Sequence, residues 1–210
     1  MTQFTRENLN QTLIALGAEL TDQTSDQLFM ELHQAHAEEA RFYHNEQHIS
    51  ECLSQFQLIR MLAERPAEVE IAFWFHDAIY DTRASDNEER SANWAETFLS
   101  SVGVDEASVA RVVAMINATK SHKTYDTDSS LLVDIDLGIL GASEAAFERY
   151  DEAIRSEFHW APLAQYKLAR AQVLRGFLNR ESIYKTDYFR SNYEQQARNN
   201  LELKIRQLMD

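Results

Sequence analysis

"AEVEIAFWFHDAIY", residues 67–80, is the stretch on which the fold of this chain turns. Pro66 stands at its head, where the first turn of a helix tolerates a missing N–H. The residues after Pro66 are hydrophobic nearly all round, and a helix of that kind needs neighbours on every side. The stretch therefore predicts a central helix inside a helical bundle. At its end the apolar run gives way to His76 and Asp77. Burying such an ionisable pair is costly unless the charges are paired or meet a metal ion.

The rest of the 210-residue chain agrees with a helical reading, because 44% of it is hydrophobic while it holds only five glycines and two prolines. Such a composition favours long uninterrupted helices over turn-rich sheet, and an all-α fold is expected. Periodicity and capping residues predict helices over about 4–20, 25–41 and 45–64, then the apolar helix from Pro66. Asp86 with Glu89 reads as a capping box for a helix ending near Ser101, where Gly103 supplies a left-handed stop; Asp105 caps the next, to about Thr119. Ser129 and Ser143 read as later caps, with helices near 130–140, 143–158, 162–180 and 187–208. No Ser/Gly/Pro linker divides the chain and no repeat recurs in it, so one domain is expected over 1–210, with a functional core over about 40–140.

Charge and cysteine usage narrow the function classes. A formal charge of −14 and no Lys/Arg-rich block argue against a polymeric nucleic acid partner. A small phosphorylated substrate remains compatible if cations reverse the field at the site. Cys52 is the sole cysteine, which excludes an internal disulfide and a cysteine-built zinc site. No stretch approaches the ~18 apolar residues of a membrane span, and the first twenty residues lack a basic segment followed by an apolar one. A soluble, cytoplasmic protein without a membrane partner is the expectation.

Two further stretches carry residues suited to metal chemistry. "FYHNEQHISEC", residues 42–52, spaces His44 and His48 four apart; on a helix such residues project the same way and can address one site. "SLLVDIDLGILG", residues 130–141, sets Asp134 and Asp136 in an apolar run. Two apart, they cannot share a helical face, so one is expected to meet a metal and the other to cap or pair. Asp136 is the expected ligand.

In chain order these residues, a His at 48, the His-Asp pair at 76 and 77 and a distant Asp at 136, resemble the HD superfamily of metal-dependent phosphohydrolases. The resemblance implies a helical HD-type bundle with additional N- and C-terminal helices, and His48, His76, Asp77 and Asp136 as ligands to a divalent ion. "YHN-x-x-H", Tyr43 to His48, is also similar to a segment of the cyclic-nucleotide phosphodiesterases of that superfamily. There the first histidine donates a proton, which implies His44 as general acid. "DNEERSA", "FLNRESIY" and "YEQQARNNL" look like an uncharacterised bacterial branch of predicted HD phosphohydrolases. The glutamine-bearing region with which phosphodiesterases clamp a purine is not recognisable, so cyclic nucleotides are not implied.

Imidazole and carboxylate ligands suit Zn, Mn, Fe or Co, with Mg also compatible, and a carboxylate such as Asp77 can bridge two ions. The expected activity is hydrolysis of a small phosphomonoester or phosphodiester, nucleotide-like, by metal-activated water. Asp77, His44 and Glu88 are the candidate catalytic groups, and Lys120, His122 and Arg170 the candidate contacts to substrate phosphate. The alternatives are a di-iron HD-type oxygenase, disfavoured because only His122 falls between the HD pair and Asp136, and a metal- or nucleotide-binding module without turnover.

Overall fold

In the computed structural model, which describes residues 2–210, eleven α-helices and two 3₁₀ turns make up the chain, with no strand among the described residues. The all-α expectation holds. No helix among the described residues is long and apolar enough to cross a membrane. Contacts divide the chain into two compact units, residues up to 135 and residues 136–210.

The first unit holds α1 (Arg6–Ala15), α2 (Asp22–His36), α3 (Glu46–Ile59), α4 (Pro66–Phe75), α5 (Asn87–Ser101), α6 (Glu106–Ser121) and nearly all of α7 (Thr127–Asp136). Its centre is α4, which packs against α1, α3, α5 and α6. Every α4 residue from Glu68 to Phe75 is buried, as a helix apolar all round requires. The two glutamates in it are matched. Glu68 takes a two-pronged ion pair from Arg111, both contacts at 2.7 Å, and Glu70 accepts from Gln57 at 2.9 Å.

Helix limits reflect local chemistry. Asp105 caps α6 by accepting from the backbone N–H of Ala107 and Ser108, and Gly103 takes φ +77° after α5, both as expected. Asp86 does stand at the N-cap of α5, but its side chain makes no capping bond, so the capping box is not formed. The first helix stops at Ala15, short of 20, because the chain turns at Gly17 with φ +79°. α7 begins earlier than expected, so Ser129 lies in its first turn and receives the N–H of Tyr125 and Asp126 from inside the helix.

The second unit contains a 3₁₀ turn (Leu137–Gly141), α8 (Glu144–Glu157), α9 (Leu163–Leu178), α10 (Asp187–Asn192) and α11 (Glu194–Met209). The helix expected over 187–208 is thus two, broken at Tyr193. Glu194 explains the break: placed at the start of α11, its carboxylate receives the N–H of Ile183 and Tyr184 from the preceding loop. Against the upward push of burial, these bonds and Arg198 hold its pKa below the usual carboxylate range. Asn200 ties α11 to the 3₁₀ turn through the carbonyls of Leu140 and Ala142, at 2.8 and 2.9 Å.

Candidate metal centre

Each of the four expected ligands is delivered by the start or the end of a helix. His48 lies in the first turn of α3, whose N-cap is Asn45; the Asn45 side chain accepts from the N–H of Gln47 and His48. His76 is the C-cap of α4, and Asp77 comes next in the turn where the Ala78 N–H bonds the Phe75 carbonyl at 2.9 Å. Asp136 is the last residue of α7.

These side chains converge. One ligand atom from each of His48, His76, Asp77 and Asp136 lies within 4.8 Å of the others, with the two histidines buried and the two aspartates half-buried. His48 Nε2 is 3.3 Å from His76 Nε2, His76 Nε2 is 3.1 Å from Asp77 Oδ2, and His48 Nε2 is 3.6 Å from the same oxygen. Donors held ~2.0–2.2 Å from one ion in tetrahedral or octahedral arrangement are separated by roughly 3.0–3.5 Å. The spacing fits a shared cation.

Tautomers point the same way. His76 Nδ1 lies 3.0 Å from the Phe73 carbonyl, which can only accept, so Nδ1 donates there and Nε2 is the nitrogen that faces the cluster. A backbone carbonyl on the far ring nitrogen is the usual support of a metal-bound histidine. The donor set of two imidazoles and two carboxylates fits a divalent ion of the Zn, Mn, Fe or Co type.

His44 requires a correction. Because Asn45 takes the N-cap in extended conformation, His44 precedes α3, and the shared helical face expected for His44 and His48 does not exist. The loop nevertheless returns the ring to the cluster: the His44 and His48 ring centroids are 6.0 Å apart. Tyr80 stacks on His44 at 4.1 Å and Tyr43 meets it edge-on at 5.0 Å. His44 is half-buried beside the four converging residues without being one of them.

The weaker candidates are not among the four converging residues. Glu88 occupies the first turn of α5 and does not belong to the converging group. Lys120 donates to the Ser85 carbonyl at 2.6 Å, and His122 ends α6 in the left-handed region with φ 55°. Arg170 is buried in the second unit, in an ion pair with Asp151 at 2.9 Å and over the Tyr150 ring. Asp134, the other carboxylate of its stretch, is fully buried in α7.

Two residues that no motif in the sequence marks stand close to the centre. Arg41 is buried and donates to the carbonyls of Asp77, Ala78 and His44 at 2.5, 3.0 and 3.3 Å. His36 lies beside it, with Nδ1 3.5 Å from Arg41 Nη1 and Nε2 3.4 Å from the Trp74 carbonyl. Burial first, and then the Arg41 charge, lower the His36 pKa to about 3, so the ring is neutral. His36 was findable, since Ser25, Leu28, Leu32 and His36 form one buried stripe of α2. Arg41 had no such signal.

Comparison of the chain with family models, with curated proteins and with solved structures gives no match.

Proposed function

We propose that this chain is a metal-dependent hydrolase of a small phosphate ester, nucleotide-like, of the HD type that its motifs resemble. The observation that carries the reading is the convergence of His48, His76, Asp77 and Asp136 with a further imidazole, His44, held just outside them. A divalent ion in that cluster would supply Lewis acidity toward phosphoryl oxygens and bring the pKa of water from ~15.7 toward ~7. The chain's own part is placement and proton transfer. His76 is fixed by the Phe73 carbonyl, and His44, when protonated, is the group that can give a proton to the departing oxygen of the ester. The Tyr80 face and the Tyr43 edge hold that ring in place.

The test begins with metal analysis of the purified protein and uptake of Mn, Zn, Fe and Co, followed by a panel of phosphomonoesters and phosphodiesters. His48→Ala should lose metal and activity together. His44→Ala should keep the metal while turnover falls by roughly 10²- to 10⁴-fold, the range for a positioned proton donor. That loss should be smaller on an aryl phosphate, whose acidic phenol departs with little protonation. Absence of metal uptake would sink the proposal. Metal loss in both variants would withdraw the general-acid role.

A further inference from the structure

Arg41 lies in the loop between α2 and α3, three residues before His44, and its side chain is only 2% exposed. One carboxylate, that of the exposed Glu38, accepts from its Nε at 3.1 Å. Its remaining donors go to the buried ring of His36, whose Nδ1 lies 3.5 Å from Nη1, and to backbone oxygens of two separate segments. Nη1 reaches Asp77 O at 2.5 Å and His44 O at 3.3 Å, and Nη2 reaches Ala78 O at 3.0 Å. The guanidinium also lies 5.6 Å from the centre of the Tyr80 ring, the ring on which His44 stacks. One planar fork thus holds the backbone of the candidate proton donor, the backbone of a candidate ligand, and the aromatic support of the donor.

We propose that Arg41 is a positioning residue that registers His44 against the Asp77–Ala78 turn, so that the distance from proton donor to metal cluster is set by a guanidinium outside the cluster. The inference deepens the hydrolase reading and rests on it for its kinetic consequence. Its geometric content stands independently. An ammonium cannot replace the fork, because it presents its donors from one point and cannot span three carbonyls in fixed directions. A misplacement of about 1 Å can cost ~10²-fold in rate, so Arg41→Lys should lower kcat roughly 10- to 100-fold with KM changed less than about two-fold.

The primary test needs neither metal nor turnover. In the metal-free protein labelled at its histidine rings, His44 is assigned by comparison with His44→Gln, and its ring protons should carry the ring-current shift of Tyr80. Arg41→Lys and Arg41→Gln should remove that shift; a His44 ring unmoved in a folded variant overturns the proposal. In the wild type itself, the Arg41 guanidinium protons should be individually resolved and slow to exchange, and a single rapidly averaged signal overturns it without any variant. Where hydrolysis is present, Arg41→Lys should cost under about two-fold in the His44→Ala background, since it acts through a group already removed. Full multiplicative loss there overturns the positioning role. A wild type that binds no metal and turns over no ester defeats the hydrolase reading, while the ring shifts still decide the role of Arg41.

Discussion

At His36, burial and the Arg41 charge keep the imidazole neutral in the folded chain, its pKa lowered from 6.5 to about 3. The unfolded chain protonates this ring near its ordinary pKa and the folded chain does not. The stabilisation is therefore fully present above pH 6.5 and is lost progressively as pH falls from 6.5 toward 3. Each pH unit in that window removes about 1.4 kcal/mol, so His36 alone should withdraw ~2 kcal/mol by about pH 5. Glu70, whose carboxyl burial pushes up, works in the opposite sense as it takes up a proton. Denaturant unfolding at about pH 7.5 and about pH 5 should show the loss, and His36→Gln should flatten it; an equal slope in wild type and variant would assign the acid sensitivity elsewhere. Among the candidate ligands, Asp136→Asn keeps shape but removes charge. It should weaken Zn or Mn affinity by more than the ~10- to 100-fold typical of losing an outer partner, as read by competition with a chelator. The candidates His76, Asp77 and Asp136 were legible because ionisable residues in apolar stretches are costly, and His48 through its spacing from His44 and the motif resemblance. Arg41 was not, because its partners are backbone oxygens at positions 77 and 78, and no spacing rule points to those.

At the scale of elements, the caps separate expectation from outcome. Asp105 bonds two backbone N–H groups and Asp86 none, although both stand at N-caps preceding helices of similar length. Asp105→Ala should lower the melting temperature by more than Asp86→Ala, because only the former removes a bonded cap. Equal losses in thermal unfolding would mean that charge at the helix N-terminus, common to both, outweighs the capping bond. α4 offers the larger test. Phe73, fully buried between Phe56 at 5.9 Å and His76 at 6.1 Å between ring centroids, should cost roughly 3–5 kcal/mol on truncation to alanine. Because Phe73 gives its backbone carbonyl to His76, that bond survives the substitution. Metal binding by the folded fraction should therefore change less than stability does.

For the molecule as a whole, the entire −14 charge belongs to the first 135 residues; residues 136–210 are electrically balanced. His48, His76 and Asp77 thus belong to the acidic unit. A cation bound there to the folded state alone stabilises by about 2.7 kcal/mol at roughly a hundred times its Kd. For a chain of this size, that corresponds to a rise in melting temperature of roughly 5–10 °C. Thermal scans with chelator and with saturating Mn or Zn should show the rise in the wild type and not in His48→Ala. A rise of the same size in the variant would move the cation to another site.

The helical class and the central place of α4 were determined by the sequence itself, since few glycines and prolines and an apolar segment from Ile71 to Phe75 leave little else to build. Local context also marked His76, Asp77 and Asp136 as candidates, while His48 was marked by its spacing from His44 and by the motif resemblance. Tertiary structure alone decided that His44, ahead of the helix that Asn45 caps, returns beside the cluster, because the path of that loop is set by what it packs on. It alone brought Asp136, far along the chain from the HD pair, within 4.8 Å of His48 and His76. It alone assigned Arg41 its three carbonyls. Periodicity along a chain reports which face is buried; which distant backbone atom a buried guanidinium will meet depends on packing between segments, and no local pattern encodes it.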